Sequence, residues 1–351
     1  MKQTAISPRY EWDEAIFPVA EKLAADMGLS GRITLEKLSG GRNNRVFRMA
    51  VDNRTYLLKS YFVHDGDRRD RLNHEFSVIQ YAWSLGLRSI PQPFIADTVN
   101  HAALYEFIAG DTLVASDLTE LDIEQAIRFV RELNIHNRSE EAGRLPIASE
   151  ACFSIREHLH GAEMRLKRLQ EMEVKNDIEQ NALDFVTQCL LPHWLKIKET
   201  MADVLNDNEN KRVLGMDERC LSPSDFGFHN VLRERNRTLR FIDFEYAGWD
   251  DPAKLICDFF CQPDIRVPRI YLPRFEEALA TMFDRQDDLQ RRVRLLFPVY
   301  GIKWCCIMLN DFLPEGRARR GYADAGEEVK RKEAQLEKAE AYLPVIMNNE
   351  W

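Results

Sequence analysis

The pattern of apolar residues predicts an α+β chain of two unequal lobes. A small N-terminal lobe with an antiparallel sheet and one helix precedes a larger, mainly helical lobe. Three observations carry this. Between Ile33 and Ile108 short apolar runs alternate with Gly, Asn and Asp turns around one helix-forming stretch. From Leu118 onward apolar residues recur at the helical period. One more pair of short strands, around Val231-Leu232 and Leu239 to Ile242, interrupts the helical half and carries acidic and amide side chains at its ends.

The chain has 351 residues, enough for a sizeable core in one large or two modest domains, which we divide as 1–110 and 111–351. Lys and Arg number 48 against 57 Asp and Glu, a net charge of −9, so no nucleic-acid partner is expected. Residues 1–10 lack the apolar core of a signal peptide, and no apolar stretch of about 20 residues stands out, so no membrane is expected. The seven cysteines have no metal-ligand spacing and fit a reducing, cytoplasmic setting; monomer and homodimer stay open.

Taken in order, Trp12 to Leu23 predicts an amphipathic helix ending near Gly28, and strands are predicted at Ile33 to Leu38, Val46 to Val51 and Thr55 to Tyr61. Ser39-Gly40-Gly41-Arg42-Asn43-Asn44 joins the first two, a turn whose glycines let backbone N–H groups approach an anion. Asp67 to Leu85 predicts a helix broken by Pro91-Gln92-Pro93, after which strands are expected at Phe94 to Ala96 and Ala102 to Ile108. Helices are predicted to end near His136 and to cover Phe153 to Leu169, Ile178 to Leu205, Phe275 to Phe283, Asp287 to Phe312 with a kink at Pro298, and Gly326 to Tyr342. Gly248-Trp249-Asp250-Asp251-Pro252 reads as a turn before another helix.

Two constellations carry chemistry. Lys59 follows two leucines in a half-buried strand and needs a charged partner, which Glu75 on the following helix can supply. Asp225, Asn230 and Asp243 fall at the ends of one hairpin in the pattern Asp-x-x-x-x-Asn, strand, Asp-Phe. Oxygen ligands so grouped suit Mg²⁺, and the pattern is how kinase-type phosphotransferases hold metal and acceptor hydroxyl. Singly, each is also an ordinary turn or strand-end residue.

With these residues assembled, the chain resembles the aminoglycoside phosphotransferase and choline kinase family of small-molecule kinases from about Leu35 to Phe260. The resemblance rests on Gly40-Gly41-x-Asn43, Leu58-Lys59, Glu75, Tyr105 to Gly110, Ser224 to Leu232, Ile242 to Glu245 and Gly248 to Pro252. It implies a bilobal protein-kinase-like fold and an ATP- and Mg²⁺-dependent transfer of the γ-phosphoryl group to a hydroxyl of a small molecule: an amino alcohol, amino sugar, aminoglycoside or sugar-like compound. It implies that Asp225 is the catalytic residue, that Asn230 and Asp243 hold the metal, and that Lys59, steadied by Glu75, meets the α- and β-phosphates. Backbone around Gly40, Gly41 and Asn43 would cover the phosphates, and backbone from Glu106 to Ile108 would receive adenine. The family's usual His-Gly before the catalytic Asp is Pro223-Ser224 here. Two alternatives stay open: a protein kinase, weakened by the lack of room for an activation segment, and an inactive binding module.

The acceptor is not readable. Glu245, Asp250 and Asp251 beside Trp249, Tyr300 and Trp304 would favour an amine, whereas Arg317, Arg319 and Arg320 would favour an anion; core packing explains Trp304, and a solvated helix end the arginines, more simply.

Overall fold

The computed structural model describes residues 11–38, 44–63, 69–206, 212–282, 286–314 and 328–347. Gly40, Gly41, Asn43 and the arginines at 317, 319 and 320 lie outside these.

The small lobe is an antiparallel sheet in the order β1-β2-β3-β5-β4, built from β1 (Ile33–Lys37), β2 (Arg45–Val51), β3 (Arg54–Ser60), β4 (Pro93–Asp97) and β5 (Ala102–Glu106). Side chains alternate across it. Leu58 and Tyr56 turn toward helix α1 (Glu11–Asp26), joining Ile16, Ala20 and Leu23 in one apolar cluster with Phe47 and Leu104. Leu57 and Tyr61 turn the other way, into the cluster that contains Leu72, Val78 and Ile79 of helix α2 (Arg71–Ser84). Lys59, between them, is thereby delivered to the α2 face. Helix α2 opens on Asp70, whose carboxylate accepts the Asn73 N–H at 3.1 Å. It stops at Ser84, well before Pro91; Gly86 at φ 91° turns the chain away, so a glycine rather than the expected proline ends this helix.

In the larger lobe β6 (Asp111–Thr112), β8 (Val231–Arg233) and β9 (Leu239–Phe241) form one small sheet, and β7 (Cys220–Ser222) pairs with β10 (Gly248–Asp250) in another. The segment expected as a turn is thus a strand. Asp251 then caps helix α8 (Pro252–Cys261), accepting the Ala253 N–H at 2.8 Å, with Pro252 in the first turn, where its missing N–H is harmless.

The remaining helices are α3 (Glu120–Asn134), the short α4 (Glu140–Gly143), α5 (Ile155–Gln170), α6 (Asp177–Phe185), α7 (Leu191–Asn206), α9 (Leu272–Ala280), α10 (Gln286–Met308) and α11 (Glu328–Met347). A π-helical turn, Val186–Leu190, joins α6 to α7. Helix α10 runs through Pro298 without interruption and packs against α5, α8 and α11. By length and composition Asp287–Phe312 could cross a bilayer, which the sequence reading did not anticipate; 67% of its apolar window is buried inside the protein.

Stacked rings fix the second hairpin to this core. Phe129 stacks on Phe241 with centroids 4.2 Å apart, Phe226 on Phe259 at 4.7 Å, and Phe259 on Phe275 at 4.8 Å. Each ring buried this way contributes roughly 1.5–3 kcal/mol. Phe226 follows Asp225 and Phe244 follows Asp243, so both aspartates of the hairpin are neighbours to an aromatic anchor.

Behind the hairpin Asp251 is fully buried between His158, whose Nε2 lies 3.0 Å away, and Arg292. Burial works against its ionisation, but Arg292 and His158 win and hold the carboxyl below the usual range. A depressed acid stabilises the fold above its unfolded value of about 3.9 and ceases to do so as pH falls through its folded value. Arg292→Met leaves that charge half-compensated in the core and is expected to destabilise the protein by about 3–5 kcal/mol at neutral pH. Urea titration checks this; a shift within 0.5 kcal/mol or so of zero would mean the pair is idle.

Candidate active site

Lys59 is 5% exposed and Glu75 3%. The Lys59 ammonium donates to Glu75 Oε2 at 2.6 Å and to Asp243 Oδ1 at 2.6 Å. One cation therefore ties β3, α2 and the end of β9 together. Burial alone would lower the Lys59 pKa, but Asp243, Glu75 and Glu245 outweigh it and raise it well above the ordinary lysine value. Burial pushes Glu75 up to about 7 against the pull of Lys59. The Tyr61 hydroxyl also donates to Glu75 Oε2, at 3.0 Å, and lies 2.7 Å from the Tyr105 hydroxyl.

Hydrogen bonds to the backbone join Asp225, Asn230 and the residue before Asp243. Asn230 Nδ2 donates to the Asp225 carbonyl at 3.0 Å, and the Ile242 N–H donates to the Asn230 carbonyl at 3.0 Å. Asp243 has φ 66°, a left-handed conformation that carries its carboxylate out of the strand direction. Its side chain is 36% exposed and that of Asp225 32%, the one facing Lys59 and the other beside His229 Nε2 at 3.3 Å. Among the described residues no three His, Cys, Asp or Glu could enclose a metal by themselves. An Asn and an Asp oxygen fit a magnesium ion that keeps water and takes its other ligands from phosphate.

Glu106 and Ile108 lie where β5 leaves the small sheet. The Glu106 N–H donates to the Gln92 carbonyl at 2.8 Å, and its carboxylate is held by Arg240 at 2.6 Å. Arg240 NH2 also donates to the Ile90 carbonyl at 2.9 Å, so this arginine, three residues before Asp243, ties the connecting segment to the hairpin.

Two expectations are corrected. Glu245, Asp250 and Asp251 are buried and occupied: Glu245 by Asn44 and Arg71, Asp250 by Lys254, Asp251 by Arg292 and His158. Trp249, Tyr300 and Trp304 are buried too, Trp249 donating to the Ala142 carbonyl at 2.9 Å and the Tyr300 hydroxyl lying 2.9 Å from His158 Nδ1. None of the six offers an open cage for an amine. For Glu245, Asp250, Asp251 and Trp249, nearness in sequence to Asp243 does not tell inward from outward; Trp304 is core, as its apolar neighbours indicate.

The sequence profile of the phosphotransferase enzyme family matches residues 34–295. The chain belongs to that family. Its members transfer phosphate to small molecules, and the lobes described above are those of its protein-kinase-like fold. Among solved structures, a spectinomycin phosphotransferase in complex with ADP and spectinomycin superimposes with TM-score 0.59 at 17% identity, over 93% of this chain and 97% of that one. An ethanolamine kinase from Plasmodium vivax gives 0.53 at 13% identity, over 90% and 83%. A streptomycin–ATP complex of an aminoglycoside phosphotransferase gives 0.52 at 17%, over 96% and 100%. No curated protein sequence matches the chain.

For this phosphotransferase the sequence reading missed Asn44, next to the Asn43 it chose. Asn44 is buried; its Nδ2 donates to Glu245 Oε2 at 2.5 Å and its Oδ1 accepts the Phe62 N–H at 3.0 Å, linking β2 to the segment after Asp243. The Asn-Asn pair in a short turn was the available signal. Asn44→Ala strands a buried N–H and half of a carboxylate, and is expected to destabilise the protein by about 1–3 kcal/mol. Thermal unfolding checks this, with Asn44→Asp expected to fare no better because it sets a second carboxylate against Glu245.

Proposed function

We propose that this phosphotransferase moves the γ-phosphoryl group of ATP, with Mg²⁺, to a hydroxyl of a small metabolite. The observation that carries it is Lys59 shared between Glu75 and Asp243, because that contact joins the strand, the helix and the hairpin that phosphoryl transfer must bring together. Asp225 orients the acceptor hydroxyl and takes its proton. Lys59 meets the α- and β-phosphates, with Glu75 keeping its ammonium in place. Asn230 and Asp243 hold the metal, which neutralises phosphate charge when bound. Backbone at Glu106 and Ile108 receives adenine, and backbone around Gly40, Gly41 and Asn43 covers the phosphates. Little else is asked of the protein, since this chemistry runs mostly on positioning and charge.

The relatives' names suggest hydroxylated acceptors: spectinomycin, streptomycin, choline and ethanolamine. With Glu245, Asp250 and Asp251 engaged in the core, recognition of a positive acceptor does not come from them.

The test is incubation with Mg²⁺ and ATP labelled in the γ-phosphate by a heavy oxygen isotope, in a cell metabolite extract, followed by mass spectrometry. A labelled small molecule is expected, and it should vanish with Asp225→Asn while ATP affinity stays within a few-fold. Label confined to proteins would replace this reading by a protein kinase. Lys59→Ala is expected to weaken nucleotide use at least tenfold, roughly 1.4 kcal/mol; a variant as active as the parent would remove Lys59 from the site.

A further inference from the structure

The residue before Asp225 holds a conformation that its chemistry disfavours. Ser224 has φ 68°, a region glycine enters freely and side chains seldom do. The family pattern puts glycine there; this chain does not. Two hydrogen bonds hold the serine in place. Its N–H donates to Ser222 Oγ at 2.9 Å, and its hydroxyl accepts from Lys254 Nζ at 2.9 Å.

Lys254 is itself buried on α8 and has three N–H donors to place. Asp250 takes one at 2.5 Å, and Asp258 lies 3.2 Å away on the next turn. Lys303 stands 3.5 Å from the other oxygen of Asp258, so two lysines and two aspartates balance in charge. Burial alone would strip the Lys254 proton, but Asp250 and Asp258 prevail and keep it charged. A charged ammonium can only donate, so the Ser224 hydroxyl must accept.

The bond reaches the site through one peptide. The Asp225 N–H donates to the Pro223 carbonyl at 2.9 Å, and the Asp225 carbonyl in turn receives Asn230 Nδ2. Rotating the backbone at Ser224 would therefore turn Asp225 and disturb Asn230 together.

We propose that Lys254 is a positioning residue for phosphoryl transfer: by gripping the Ser224 hydroxyl it holds the left-handed turn that aims Asp225. The idea rests on the function proposed above for Asp225, but the grip itself can be read without turnover. Hydrogen exchange by mass spectrometry on peptides covering 222–231 is the first readout. Ser224→Ala removes the hydroxyl and keeps the unfavourable conformation, so faster exchange is expected there. Ser224→Gly also lacks the hydroxyl but tolerates the turn, and should restore much of the protection. Turnover with the labelled acceptor is the second readout: kcat is expected to fall roughly tenfold in Ser224→Ala, with KM for ATP little changed, and less in Ser224→Gly.

Equal exchange in Ser224→Ala and the parent would overturn the proposal, as would glycine behaving no better than alanine. Should Ser224→Ala not fold, Lys254→Met with Asp250→Asn keeps the charge balance while removing the donor; faster exchange, reversed by adding Ser224→Gly, supports the grip, and unaltered exchange overturns it. A loosened loop in a protein whose parent transfers no phosphate would keep the grip and overturn the function proposed for the site.

Discussion

One buried ammonium organises the region between the lobes. Lys59 could not sit there alone, since an unpaired charge out of water is lost by deprotonation or drives the segment to unfold. Two carboxylates from different elements keep it charged, and each contact constrains a separate part of the chain: Glu75 the rotation of α2 against the sheet, Asp243 the end of the hairpin. Three elements are set relative to one another by a single group. Around it the other carboxylates divide the work. Glu245 ties Asn44 and Arg71, and Asp250 serves Lys254.

Much of this was legible before any coordinates. Lys59 and Glu75 could be paired because an amphipathic strand leaves a mid-strand lysine with nowhere polar to go, and the following helix offers one carboxylate on its apolar side. Asp225, Asn230 and Asp243 could be grouped because a hairpin's geometry brings the ends of its strands together at short sequence separation. The strands of the small sheet and most helix limits followed from periodicity.

What was not legible depended on distant partners. Asp251 meets Arg292 forty-one positions on, Glu245 meets Asn44 two hundred and one positions back, and local pattern says nothing about either. Read locally, a run of acids and a tryptophan beside the hairpin looks like an acceptor pocket; in space it is the hairpin's foundation. Pro223-Ser224 illustrates the same limit in the other direction. As a departure from the family pattern it puts the geometry of the loop in question, and the serine is seated by a lysine thirty residues away.

Helix α2 belongs to both lobes. Leu72, Val78, Ile79 and Tyr81 share one apolar cluster with α3, α5 and the hairpin, Tyr81 donates to the His136 carbonyl at 2.9 Å, and His74 Nδ1 lies 2.8 Å from the Ala247 carbonyl. Parting the lobes at the connecting segment would expose that cluster to water at about 25 cal/mol for each Å². Tyr61, Ala103 and Tyr105 of the sheet share the same cluster, and Lys59 is bonded to Glu75, so the helix is held to the strands as firmly as to the larger lobe. A ligand entering between the lobes meets α2 as a common wall rather than as part of one moving half.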